Sequence, residues 1–172
     1  FILDGICEFA GVVCGPAGHI RTLMLNDQSL RWTIPWEVSL LSFLTFLDLS
    51  ENSLEGTIPT EIGRLTALSE LYVRFNALTG TIPTELGQLT SLKELSVSSN
   101  ALTGTIPTEL GQLTSLELLY VFLNALTGTI PTELGLLTRL TFLHVSYNML
   151  AGTIPEALTD INVRIDGTNI TA

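Results

Sequence analysis

The chain has 172 residues, 46% of them hydrophobic, and a formal net charge of −10 from 17 acidic against 7 basic residues. Such a length buries a substantial core as one continuous domain, and such a charge repels nucleic acid, with no Lys/Arg patch to offset it. No stretch of about 18 apolar residues occurs, so no direct membrane insertion is expected; the richest run, Val38 to Leu49, is broken by Ser39, Ser42, Thr45 and Asp48.

Residues 1–19 are read as an N-terminal cap. No signal peptide is visible and the chain opens at Phe1, as a mature or trimmed product would. Cys7 and Cys14, in CEFAGVVC, are the two cysteines. They read either as two buried thiols or as a local disulfide closing one end of the molecule. The disulfide is preferred, because a stack of repeats exposes an apolar cross-section that needs covering. It implies an oxidising compartment. With only His19 nearby, the four ligands of a structural zinc site are not assembled.

Residues 20–161 are organised by a repeat of constant length. Its clearest copy, NALTGTIPTELGQLT, starts at Asn76, returns unchanged at Asn100, and returns at Asn124 with Leu136 in place of Gln. Asn52, Asn76, Asn100, Asn124 and Asn148 each have Leu two residues on, Gly four on and Pro seven on. A fixed period of this size marks a solenoid of stacked supersecondary units. The first copy, from Ile20, keeps the apolar spacing but has Gln28 at the Asn position and Trp32 at the Gly position. Such departures suit a terminal repeat.

Within a copy, Leu71–Tyr72–Val73 alternates as a short strand with two side chains inward and one outward. Gly80 lets the backbone bend. Pro83 is expected at the first position of a helical turn, with Glu85 favoured there by the helix dipole. The repeated Asn marks the end of the strand, where its amide is expected to satisfy backbone groups of its own turn and of the next. Residues 162–172 form a closing segment, in which Val163 and Ile165 alternate out of phase with the repeat as a shortened strand. Asn169-Ile170-Thr171 is an N-glycosylation sequon, which suits an extracellular protein.

The stretch Leu68 to Leu92, with its L-x-G-x-I-P segment, resembles the plant-type leucine-rich repeat, and CEFAGVVC resembles that family's N-terminal cap with Phe9 in place of the usual Trp. The GTIPTELGQLTSL units look most like algal members. The resemblance implies an α/β solenoid: a right-handed leucine-rich-repeat superhelix with a parallel concave β-sheet, a short second sheet, and 3-10 or helical turns on the convex side. Relatives include receptor-kinase ectodomains, polygalacturonase inhibitors and a carrot antifreeze protein.

Function is sought where the copies differ. Differences concentrate six, four, two and one residues before each Asn, positions expected to project from the concave strands. Tyr120, Phe122, Leu123, Phe142, His144 and Tyr147 are expected to form one exposed aromatic patch. Tyr72, Arg74 and Phe75 form a second, across a quieter Ser96–Ser98–Ser99 strip. Exposed apolar patches and Arg/aromatic anchors mark interfaces. The expectation is therefore an extracellular or cell-surface recognition module of receptor or adhesion type. Its concave face would take a protein, peptide or glycan ligand, or pair with a second copy as a dimer.

Two alternatives stay open. One is ice binding by the rows Thr57, Thr81, Thr105, Thr129, Thr153 and Thr79, Thr103, Thr127; the other is inhibition of a secreted enzyme in the manner of polygalacturonase inhibitors. The threonines also suit strands as β-branched fillers. No nucleophile elbow, metal-ligand cluster or phosphate loop suggests catalysis, a cofactor or a metal. Glu85, Glu109 and Glu133 have a structural reason in their place at a helix start.

Overall fold

A computed structural model describes residues 6–171. The chain winds as a coil in which each full turn contributes one strand, one bend and one short 3-10 helix. Strands β1 (Val12–Cys14), β2 (Ile20–Met24), β3 (Phe46–Asp48), β4 (Glu70–Tyr72), β5 (Glu94–Ser96), β6 (Leu118–Tyr120), β8 (Phe142–His144) and β10 (Asn162–Arg164) make one sheet in chain order. The intervening β7 (Thr127–Gly128) joins β9 (Met149–Thr153) and β11 (Asn169–Thr171) in a second sheet of three strands. All pairings are parallel except that of β1 with β2.

Register follows the repeat. Leu47 faces Leu71, Leu71 faces Leu95, Leu95 faces Leu119 and Leu119 faces Leu143, and all five are buried. Identical spacing places equivalent apolar residues in columns, and each column covers the edge of its neighbour. Leu54, Leu78, Leu102, Leu126 and Leu150 form another such column. Together they make one continuous core from Ile34 to Ile170. In the first copy, Ile20, Leu23, Leu25, Leu30, Val38 and Leu41 are only partly buried, because no full coil lies on their outer side.

The helical pieces of the first five coils are five-residue 3-10 helices, such as Thr84–Gln88, and that of the last, Glu156–Leu158, has three residues. Pro83 stands one position earlier than expected. It is the cap residue, extended at φ −63° and ψ 135°, and Thr84 opens the helix. Gly87 keeps the helices close, since a Cβ there would lie 2.4 Å from the Glu109 carbonyl oxygen. The Glu row is thus fixed by coil-to-coil contact on the convex side.

The asparagines form a ladder. Asn100 Nδ2 donates to the carbonyls of Val97 and Ser98 in its own coil and of Val73 in the coil before, at 3.0–3.1 Å. Its Oδ1 accepts from the Leu78 amide at 3.0 Å. Asn52, Asn76, Asn124 and Asn148 repeat the pattern. The bonds reach the preceding coil and not the following one, a correction to the expected direction. Asn is suited to this because a single side chain supplies donors and an acceptor to a bend whose backbone groups face inward.

At the N-terminal end a disulfide joins Cys7 and Cys14, with Cα atoms 5.7 Å apart. It ties the 3-10 turn Ile6–Glu8 to β1, whose antiparallel pairing covers the edge of β2. At the other end β10 pairs with β8, Asn162 lying opposite Phe142, whereas among the inner strands Leu118 lies opposite Glu94. Fewer residues separate the first pair than the second, so the final coil is shorter than the rest.

Candidate binding face

The concave surface is built from short strands whose side chains alternate in and out. Strand-opening positions present Phe46, Glu70, Glu94, Leu118 and Phe142; strand-closing positions present Asp48, Tyr72, Ser96, Tyr120 and His144. Parallel register at strand spacings of about 4.8 Å sets these residues side by side.

Four of the expected patch residues come together. The rings of Tyr120 and Phe142 lie 5.4 Å apart. Phe122 stacks on His144 at 4.2 Å, and Phe142 meets the edge of His144 at 5.9 Å. Burial, and then the Arg164 charge, hold the His144 imidazole below its ordinary pKa, with Asp166 opposing. The neutral ring therefore belongs to the apolar cluster. Leu123 and Tyr147 do not join it. Both sit in the bend after the strand, with φ of 52° and 55°. The Tyr147 ring lies over Gly167 of the closing segment, where a Cβ would come within 2.6 Å of Cδ1.

The second patch is more polar than expected. Tyr72 packs against Phe46 at 5.6 Å and donates its hydroxyl to Glu70 Oε2 at 2.8 Å. Burial, followed by hydrogen bonding to Glu70 and Glu94, pushes the Tyr72 phenol far above its usual range. Tyr120 is also raised, by burial and then by the Glu94 charge, with Arg74 opposing. Arg74 lies 5.8 Å from the Phe75 ring centroid and 4.0 Å from Glu51 Oε1, both partners being well exposed.

Between the two patches, Ser96 and Ser98 are buried, their hydroxyls 3.2 Å apart. Ser50 and Ser146 are buried too. The row two residues before each Asn is therefore not uniformly outward. Where it carries Ser the larger neighbours cover it, and only Arg74 and Phe122 of the later coils stand up. Small residues give their large neighbours room to lean.

The threonine rows separate into two kinds. Thr79, Thr103 and Thr127 donate their hydroxyls to the carbonyls of Gly56, Gly80 and Gly104 at 3.1–3.2 Å, one coil back. Thr57, Thr81, Thr105 and Thr129 place their methyl groups against the glycines of the following coil. Both rows hold coils together. Asn169 is exposed on β11, and Thr171 of the same sequon donates to the Gly152 carbonyl at 3.3 Å.

A family model described as a leucine-rich repeat region matches residues 14–128, and another described as a Leucine Rich Repeat matches residues 139–161. The chain belongs to the leucine-rich repeat family. Among solved structures it is similar to the ectodomain of the Arabidopsis receptor kinase HAESA in complex with the IDA peptide hormone. That match has a TM-score of 0.88 and 32% identity over 96% of this chain and 29% of that one. It is likewise similar to the plant peptide hormone receptor RGFR1 in complex with RGF2, with a TM-score of 0.79 and 36% identity over 83% of this chain and 23% of that one. A plant ice-binding protein matches with a TM-score of 0.85 and 31% identity over 97% of this chain and 56% of that one. The chain spans about a quarter of the length of the first receptor chains it matches, and 82% of a pollen receptor kinase 3 chain. No curated protein sequence matches it.

Not every variable position of these leucine-rich repeats lies close to the Asn. Trp36 stands where later copies have Thr60, Thr84, Thr108 and Thr132, and it is half-exposed on the flank of the coil. A comparison of every position between copies would have found it. No helix among the described residues is long and apolar enough to cross a membrane.

Proposed function

We propose that this leucine-rich repeat chain is an extracellular recognition module, non-enzymatic, which binds a peptide or protein on its concave sheet in the manner of a receptor ectodomain. The observation that carries the reading is the contact of Tyr120, Phe122, Phe142 and His144 as one aromatic surface on the open side of the sheet. Aromatic anchors that are rigid and partly desolvated supply much of the energy of protein interfaces. The polar patch of Tyr72, Arg74 and Phe75 supplies a second contact with hydrogen-bonding and charged groups. The peptide-bound receptors to which the fold is similar support the same assignment.

Tyr120→Ser/Phe122→Ser tests it, since serine already occupies both equivalent positions in the neighbouring coil as Ser96 and Ser98. The variant is expected to fold unchanged and to lose the partner captured from the native cell surface by the parent chain. Partner retention by a folded variant would overturn the assignment.

A second reading rests on the exposed row Thr57, Thr81, Thr105 and Thr129, which repeats at the coil spacing, and on the likeness to a plant ice-binding protein. Thermal hysteresis of the purified protein separates the two readings. The concave-face reading expects none at high concentration.

A further inference from the structure

The flank of the solenoid carries a groove between successive coils. Between the third and fourth coils, and between the fourth and fifth, it measures about 310 and 370 Å³. Between the first and second coils the groove, open to solvent, measures about 700 Å³. The backbone repeats, so side chains make the difference. Where the later coils place Thr84, Thr108 and Thr132, the first coil places Trp36 and raises a wall. Trp36 belongs to the terminal coil, whose outer side no full coil covers, and its indole borders the groove that this coil makes with the second.

We infer that the groove beside Trp36 is a binding site for a neutral oligosaccharide. Its volume falls within the ~300–1,000 Å³ of small-ligand sites. The Trp36 side chain is 48% exposed at the groove, and an indole face suits the C–H face of a pyranose ring. Around it stand Glu37, Glu61 and the Thr60 oxygen as acceptors and Thr57 as a hydroxyl that both donates and accepts. Alternating sugar hydroxyls need this mixture. Thr60 donates its hydroxyl to Glu61 Oε2 at 3.4 Å, as the equivalent threonines of the later coils do to their own glutamates, which leaves acceptor lone pairs on both residues.

Charge narrows the ligand. Two carboxylates at the site and a net charge of −10 disfavour uronate and sulfated sugars, leaving neutral ones. A proline-rich peptide is the other ligand with affinity for an indole. Its grooves, however, are lined by several aromatic rings, and this one holds Trp36 alone.

The repeat supplies the test variant. Trp36→Thr installs the residue that four other coils carry at this position, so the fold is expected to be retained. Cellohexaose, laminarihexaose, mannohexaose and xylohexaose are titrated into the intact protein by calorimetry and by tryptophan fluorescence. At least one is expected to bind saturably. Trp36→Thr is expected to weaken it about tenfold or more, a difference of one decade in Kd. Trp32→Phe is expected to bind as the parent does, with the fluorescence change retained because Trp36 is then the sole indole. The inference is overturned if none of the four sugars binds, if folded Trp36→Thr binds as the parent does, or if decaproline alone binds in a Trp36-dependent way. None of these outcomes bears on the concave face, which lies on a different surface.

Discussion

The methyl group of Thr57 occupies the space that a side chain on Gly80 would need: a Cβ built on Gly80 lies 2.8 Å from Thr57 Cγ2. The contact recurs at Thr33 with Gly56, Thr81 with Gly104 and Thr105 with Gly128. Gly80 also has φ of +77°, which side chains rarely adopt. Threonine and glycine are therefore two halves of one joint between coils. Gly80→Ala is expected to cost about 2 kcal/mol, from backbone strain and the displaced methyl together. In a Thr57→Ser background the steric part disappears and the cost should fall to about 1 kcal/mol. A double-mutant cycle by urea denaturation reads the difference, and equal costs in both backgrounds would remove the joint.

Asn100 serves two coils at once. Its loss would leave the Leu78 amide and the Val73, Val97 and Ser98 carbonyls short of a partner. Asn100→Ala is expected to lower stability by about 2–4 kcal/mol, through several orphaned backbone groups. Asn100→Asp keeps the acceptor but loses both donors, and should do no better. The midpoint of denaturant unfolding checks both, and an unshifted midpoint for either would count against the ladder.

The residue before each Asn takes a left-handed conformation: Glu51, Phe75, Ser99, Leu123 and Tyr147 all have φ between 52° and 57°. Glycine and asparagine tolerate it, whereas β-branched residues resist it. Leu123→Asn is expected to be neutral or to stabilise slightly. Leu123→Val is expected to destabilise by about 1–2 kcal/mol. Thermal unfolding of the pair distinguishes this from loss of a surface contact, which would cost the same in both.

His144 gives the fold a pH dependence. Its pKa is lower in the folded chain, so between that value and the ordinary one the unfolded chain binds more protons. Stability then rises with pH across this window, and is lost as pH falls below about 6.5. His144→Phe keeps a ring on Phe122 and removes the proton. Its denaturation midpoint should fall less than the parent's between pH 7.5 and pH 5. A parallel fall in both proteins would place the dependence elsewhere.

Much of the fold was legible because a solenoid is local. Each coil contacts only its neighbours, so the spacing of Asn76, Leu78, Gly80 and Pro83 along the chain is also their arrangement in space. Leu71 faces Leu95 because both occupy the same place in the repeat. The rows six and four residues before Asn followed for the same reason, and they brought Tyr120, Phe142 and His144 together.

Other placements depended on side-chain size across coils. Sequence position treats Ser98 and Phe122 as equivalent, yet one is buried by its neighbours and the other stacks on His144. Tyr147 turns onto Gly167 because the shortened last coil brings a glycine beneath it.

The repeat alone fixed the coil, its register and its asparagine columns, since identical units satisfy identical contacts. Only the tertiary structure decided which variable side chains touch. That choice is made by packing between adjacent coils, where a serine leaves space and a tyrosine or tryptophan takes it.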